Sequence, residues 1–195
     1  AVLIATGAAE GFRGLAEHRP ASMASFLDRP FLQHVVEFIV ASGHNEVDFV
    51  LSRFPEQIEA LFGDGTRWGA RFRYHLVRDP DHPFAAIRAI DTGPENPVLL
   101  AHALTLPAAA PAWHHAPSET GIQSCRPAVL RTGSANEAVP IGWAEIDRDR
   151  LAELPADLDW PGWMDHLRRE LAGGAPQIEV GPPLSLASYA DYLAA

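Results

Sequence analysis

Short apolar runs alternate with amphipathic stretches along most of this chain, and that alternation limits the fold more than any other feature. AVLIA (1–5) is brief, continuous and apolar, the pattern of a buried parallel strand. PFLQHVVEFIVASG (30–43) is helical: Pro30 suits a first turn, Phe31, Val35, Phe38 and Ile39 share one face, and Gly43 is a natural stop. EVDFVLS (46–52) reads as a second strand, PEQIEALFGDG (55–65) as a short helix ending at Gly63, and ARFRYHLV (70–77) as an alternating strand. HPFAAIRAID (82–91) is a modest helix and NPVLLAHALTL (96–106) another buried strand. Strands and helices at this spacing predict an α/β fold: a three-layer α/β/α sandwich with a mostly parallel sheet and right-handed crossovers.

The second half is less regular. Residues 107–139, rich in Pro and Ala, show little pattern. AVPIGWAEI (138–146) then reads as a strand, and DRDRLAEL (147–154) and DWPGWMDHLRREL (159–171) as helices, with Asp159 or Asp157 capping the latter. PQIEV (176–180) is a last short strand, and SLASYADYLAA (185–195) a closing helix with Ser185 or Ser188 near its start. No internal repeat or linker appears, so residues 1–195 are expected to form one domain.

Charge and cysteine use narrow the function. The net charge of −10 excludes the basic patch that non-specific nucleic-acid or anionic-membrane binding needs. No apolar run approaches the roughly 18 residues that span a bilayer, and the first residues lack a charged-then-apolar leader pattern. One cysteine, Cys125, admits no internal disulfide and fits a reducing cytoplasm. All 15 basic residues are arginines; there is no lysine. Chemistry that depends on an ammonium is closed to this chain, and a planar guanidinium places its charge differently.

In order and wording these pieces resemble the sugar-1-phosphate nucleotidyltransferases, nearest the mannose-1-phosphate guanylyltransferase branch. The likeness is carried by AVLIATG (1–7), by EHRPASMASFLDRPFLQHVVEFIVASGHNEVDFVLS (17–52), and most closely by PEQIEALFGDGTRWGARFRYHLVRDP (55–80) with its FGDG-type turn at 62–69. VPIGWAEI (139–146) and IEVGPPLSLASYADYLAA (178–195) extend it. The resemblance implies a GT-A-like fold and a reaction in which a sugar 1-phosphate displaces pyrophosphate from a nucleoside triphosphate. It also implies a Gly-rich loop with an arginine, a lysine soon after an Arg-Pro pair, and two aspartates holding Mg2+.

Position by position, the site departs from that pattern. The loop reads TGAAEGFRGL (6–15): Gly7 matches a loop glycine, while Arg13 matches the loop arginine only with an insertion, without which Gly11 takes its place. Gly7, Gly11 and Arg13 are the expected nucleotide contacts, Arg13 through phosphate. Ala21 stands at the lysine position. The Gly-Asp that carries one metal carboxylate matches His102, Ala103 and Leu104, with no acid. A small glycine turn falls on HPFA (82–85), where Pro83 and Phe84 would fill the space. The second metal carboxylate corresponds to Glu179. Loss of an acid and of the lysine costs on the order of 10²–10³ in rate apiece.

The expected function is therefore a nucleotidyltransferase-like protein of sugar-nucleotide metabolism that is inactive or impaired. It would act through a partner protein or as a homo-oligomer, and need Mg2+ only if active. Two alternatives stand beside it: an active enzyme in which Glu179 with Asp79 or Asp81 holds the metal, and a nucleotide-sugar-binding sensor. Other conspicuous residues have plainer readings. His114 and His115 are a loop pair rather than a metal site, and Trp113, Trp143, Trp160 and Trp163 are core or interface anchors. Arg67, Arg71 and Arg73 lie on the outer face of a strand, and His102 ends a strand where ligands bind in open α/β sheets.

Overall fold

The computed structural model describes residues 1–6, 18–92, 97–108, 125–132 and 137–186. The chain runs β1 (Val2–Ala5), a 3₁₀ turn (Ala21–Met23), the hairpin β2 (Ser25–Phe26) and β3 (Arg29–Pro30), α1 (Phe31–Ala41), β4 (Glu46–Leu51) and α2 (Pro55–Phe62). After a second 3₁₀ turn (Thr66–Trp68) come β5 (Arg71–Leu76), α3 (Phe84–Ala89), β6 (Val98–His102) and β7 (Thr105–Leu106). Then follow β8 (Cys125–Thr132), β9 (Glu137–Ile146), α4 (Arg148–Glu153), α5 (Trp160–Ala172), β10 (Ile178–Glu179) and β11 (Leu184–Ser185).

Seven strands form one sheet in the order β10-β8-β9-β6-β1-β4-β5. β9 is antiparallel to both of its neighbours, and the other pairings are parallel. This is the expected mixed α/β layout. The chain leaves β1 for β4 and β5 on one side, then returns to β6 on the other. Ligands in open α/β sheets sit at such a reversal, outside the carboxyl ends of the strands.

Alternation along the strands sends apolar side chains to both faces, which is why helices cover both. Leu3, Phe49, Phe72, Leu99 and Trp143 pack with Phe31, Leu32, Val35, Val36 and Ile39 of α1 and with Ile58 and Phe62 of α2. Val2, Ile4, Val50, Leu100 and Ile146 pack with Phe84 and Ile87 of α3, Leu151 of α4, and Trp163 and Leu167 of α5. Each large apolar side chain so buried stabilises the fold by roughly 1.5–3 kcal/mol. The FGDG-type turn shapes the α2–β5 connection. Gly65 sits at φ +92°, and a Cβ there would lie 2.6 Å from the Ala70 carbonyl oxygen. Asp64 accepts a hydrogen bond from the Thr66 amide at 3.0 Å, and this bond holds its carboxyl below the usual range.

Two elements differ from expectation. β8 crosses a stretch that shows little strand pattern in the sequence, because Pro127 interrupts it. The register with β9 shifts between Pro127 and Val129, so the proline sits at an irregularity, where a missing amide is tolerated. Ser185, expected near a helix start, belongs instead to β11, which pairs antiparallel with β7. The rest of that expected helix lies outside the described residues. The Asp159 cap is as expected: its Oδ1 accepts the Gly162 amide at 2.7 Å.

Candidate functional site

A recess opens at the chain reversal, between the carboxyl ends of β1 and β6. It is lined by Ile4, Ala5 and Thr6, by His102, Ala103 and Leu104, and by Pro20, Ala21 and Ser22 at the first 3₁₀ turn, and is small, with room of about 10 Å3. β11 closes one flank: the Leu186 amide donates to the Leu104 carbonyl at 2.7 Å, and Ser185 stands opposite Thr105. Ala21, at the lysine position of the resemblance, is thus brought to the strand ends, as are His102, Ala103 and Leu104.

His102 stacks on Trp160, the first residue of α5, with ring centroids 3.9 Å apart and planes at 22°. Trp160 reaches it because Gly142 on β9 lacks a side chain; a Cβ there would lie 2.6 Å from the indole. Desolvation pushes the His102 pKa down to about 4, so the ring is neutral at physiological pH. Phe84 does not occupy the recess. It is fully buried on the other side of the sheet edge, 5.4 Å from the Trp163 ring. The bulk of Phe84 packs against α5 instead. Trp143 and Trp163 are core residues as expected, their indole N–H groups donating to the carbonyls of Thr105 and Gly142.

No carboxylate lines the recess among the described residues. The chain's buried acids are committed elsewhere. Asp48 on β4 is 1% exposed and accepts two hydrogen bonds from Arg73 on β5, at 2.7 and 2.8 Å. His75 lies 2.7 Å from the same carboxylate, and Glu145 on β9 pairs with Arg126 on β8. Arg71 and Arg73 lie on β5, where Arg71 pairs with Glu46 at 3.3 Å, whereas Arg67, expected on the same strand, belongs to the 3₁₀ turn Thr66–Trp68.

Glu179 lies on β10, the far edge strand, ion-paired with Arg131 of β8 at 2.9 Å. Two strands, β8 and β9, lie between it and β1's neighbour β6. Asp79 and Asp81 lie in the loop after β5, the opposite edge strand. None of these three acids lines the recess. Asp79 is held instead by His82, 2.8 Å away, which lowers the Asp79 pKa and raises that of His82. Mg2+ wants one or two carboxylates beside phosphate in octahedral geometry. The described lining of the recess does not fit it. More broadly, no three His, Cys, Asp or Glu side chains converge as a metal-ligand set among the described residues.

Gly7, Gly11 and Arg13 lie outside the described residues, as do Trp113, His114 and His115. Sequence reasoning missed Thr6 and Ser22, because single hydroxyls carry no spacing signal. Ser22 is 3% exposed and its Oγ has no hydrogen-bond partner.

No family model matches the chain. Solved structures do match it. A Bacillus anthracis protein assigned as a glucose-1-phosphate thymidylyltransferase, in complex with sucrose, superposes with TM-score 0.77 at 9% identity, covering 99% of this chain and 92% of that one. The inositol-1-phosphate CTP transferase of T. maritima gives 0.72 at 12% identity, over 97% and 89% of the two chains. HddC of Yersinia pseudotuberculosis gives 0.71 at 13% identity, over 100% and 96%. Among the described residues no helix is long and apolar enough to cross a membrane. With identities this low, the likeness speaks to architecture: the chain has a nucleotidyltransferase-like α/β fold.

Proposed function

We propose that this chain is a nucleotidyltransferase-like protein of sugar-nucleotide metabolism that binds a nucleotide or sugar phosphate without turning it over efficiently. It acts by association with a partner protein in the cytoplasm, or as a homo-oligomer. The observation that carries this reading is the recess itself. It lies where the fold places ligands, yet its described lining offers Ala21, His102, Ala103 and Leu104 where the resemblance calls for an ammonium and a carboxylate. Charge builds on phosphate oxygens in nucleotidyl transfer, and a site without opposing charges loses most of the stabilisation. Arg13 supplies the remaining phosphate contact.

The neighbours support the ligand class. HddC was solved with GMP-PN bound and the B. anthracis protein with sucrose. The lone, buried Cys125 agrees with a reducing compartment. The test pairs binding with turnover. Nucleoside triphosphates, nucleotide sugars and sugar phosphates at millimolar concentration are expected to raise the melting temperature by mass action. Magnesium-dependent pyrophosphate release from the same mixtures is expected to stay at the protein-free rate. Robust turnover that Glu179→Ala abolishes would defeat the reading.

A further inference from the structure

The two edges of the central sheet are not alike. β10 is two residues long, whereas β5 presents six, Arg71–Leu76, with no proline and an unbroken parallel register to β4. Native proteins keep sheet edges short, bulged, charged or covered, because a row of unpaired amides and carbonyls recruits another strand. In β5 the Arg71 amide donates to the Asn45 carbonyl and the Val77 amide to that of Leu51. Odd-numbered residues therefore face β4 and even-numbered ones face outward. The outward Phe72 amide is taken by the Asp64 carbonyl at 2.9 Å. The outward backbone groups of Tyr74 and Leu76 have no partner strand among the described residues. Nor do the two arginines of the strand guard it. Arg73 turns back to Asp48 on β4, at 2.7 and 2.8 Å, and Arg71 to Glu46 at 3.3 Å. Leu76, at the open end, is 66% exposed.

We propose that the free edge of β5 is an interface between two copies of this chain, joined antiparallel across a two-fold axis so that two sheets become one. This gives the homo-oligomeric part of the reading above a surface, and it holds whatever the recess binds. With the Phe72 amide already engaged, Tyr74 and Leu76 carry the pairing: Tyr74 of one copy exchanges both backbone hydrogen bonds with Leu76 of the other, and the reverse. Both side chains lie on the face where Tyr74 stacks on Phe49, so each exposed leucine covers the opposite tyrosine ring. Charge selects a second copy over a foreign strand. The approach to β5 carries Arg67 and Arg71, and the loop beyond it carries Asp79 and Asp81. Antiparallel pairing lays the start of each strand against the end of the other. In this register Arg71 faces Asp79, with side chains 70% and 60% exposed, and Arg78 comes to the turn that bears the exposed Asp64. The two His75 rings meet at the axis, each 2.7 Å from its own Asp48 carboxylate. An isologous contact satisfies both ends at once. A strand edge of this length is small beside standard interfaces of roughly 1,200–2,000 Å2, so the dimer is reversible, with micromolar affinity.

Sedimentation velocity on the full chain, from about 1 to about 200 μM, tests the interface. The expected result is a reversible monomer–dimer equilibrium. Leu76→Lys puts a charge on the pairing edge and should raise the dimer dissociation constant at least about 10-fold. The melting temperature of the dilute protein should stay as it is, because that side chain is already exposed in the monomer. Arg71→Glu and Asp79→Arg should each weaken the dimer about 3- to 10-fold, every change counting twice across the axis. The double variant, with the pair reversed, should recover wild-type affinity within about 3-fold. Side chains that only hold the monomer together would lower the melting temperature and leave association untouched, which overturns the proposal. A chain that stays monomeric throughout the range also overturns it and leaves the edge to a foreign strand. A dimer indifferent to Leu76→Lys does so as well, since the interface then lies elsewhere. So does a double variant that dimerises no better than either single one. All of these outcomes leave the reading of the recess standing, which pyrophosphate release tests separately.

Discussion

The indole of Trp160 lies almost flat on the imidazole of His102, with 3.9 Å between ring centroids and 22° between planes. One ring opens a helix on one face of the sheet; the other ends its central strand β6, at the wall of the recess. The contact desolvates a histidine where the resemblance calls for a carboxylate, and it makes that histidine measurable.

Stability should report His102 directly. Its folded pKa is depressed to about 4 against an ordinary value of 6.5, by desolvation. Between those values the unfolded chain binds the proton and the folded chain does not. Stability is therefore complete above pH 6.5 and is lost as pH falls towards 4, by up to about 3 kcal/mol. Urea denaturation at pH 7, 6, 5 and 4 should show a shallower loss for His102→Gln than for wild type. His166, also depressed by burial, is expected to leave a residual slope in the variant.

Gly142 makes the stack possible. It sits at φ +90°, and a Cβ would lie 2.6 and 2.7 Å from two indole carbons of Trp160. Gly142→Ala should cost about 2–4 kcal/mol, combining backbone strain with the clash. In a Trp160→Leu background the clash component should disappear and the strain remain. A double-mutant cycle in urea measures the difference.

Asp48 anchors the β4–β5 edge. Replacing it with Ala leaves Arg73 and His75 without the carboxylate both approach within 2.8 Å. Arg73 is about one-third exposed, so water relieves part of the loss. A destabilisation of about 2–3 kcal/mol is expected, below the 3–5 kcal/mol typical of a fully buried broken pair. Arg73→Met combined with Asp48→Leu should recover much of it.

Cys125 should be inert in the native state. Its thiol is 2% exposed, and burial, with a smaller push from Glu170, raises its pKa to about 12. Thiolate is the reactive form. Iodoacetamide at pH 8 should leave the folded chain unmodified and label one site after unfolding in urea.

The architecture was legible because its signals are periodic. The helix face of Phe31, Val35 and Ile39, the FGDG turn and the apolar run ending at His102 each depend on neighbours in sequence. β8 was not, since Pro127 hides a strand whose irregular register becomes visible only against β9. The site was half legible. Ala21 and His102 were placed at the recess by matching motifs, but the position of Glu179 depends on which edge β10 joins, a long-range choice. The Phe84 side chain was assigned to the cleft by size, whereas the helix it begins turns it towards Trp163. Ser22 carried no signal, because an orphan hydroxyl is defined by what surrounds it in space.

The central claim is that the recess, in its described lining, lacks the ammonium and the carboxylate that the resemblance calls for. The most direct measurement is pyrophosphate release by the purified chain with magnesium, each nucleoside triphosphate and a set of sugar 1-phosphates, under conditions where thermal shift shows ligand bound. The account expects a rate indistinguishable from the protein-free control. Sustained, magnesium-dependent release accompanied by nucleotide-sugar formation would contradict it.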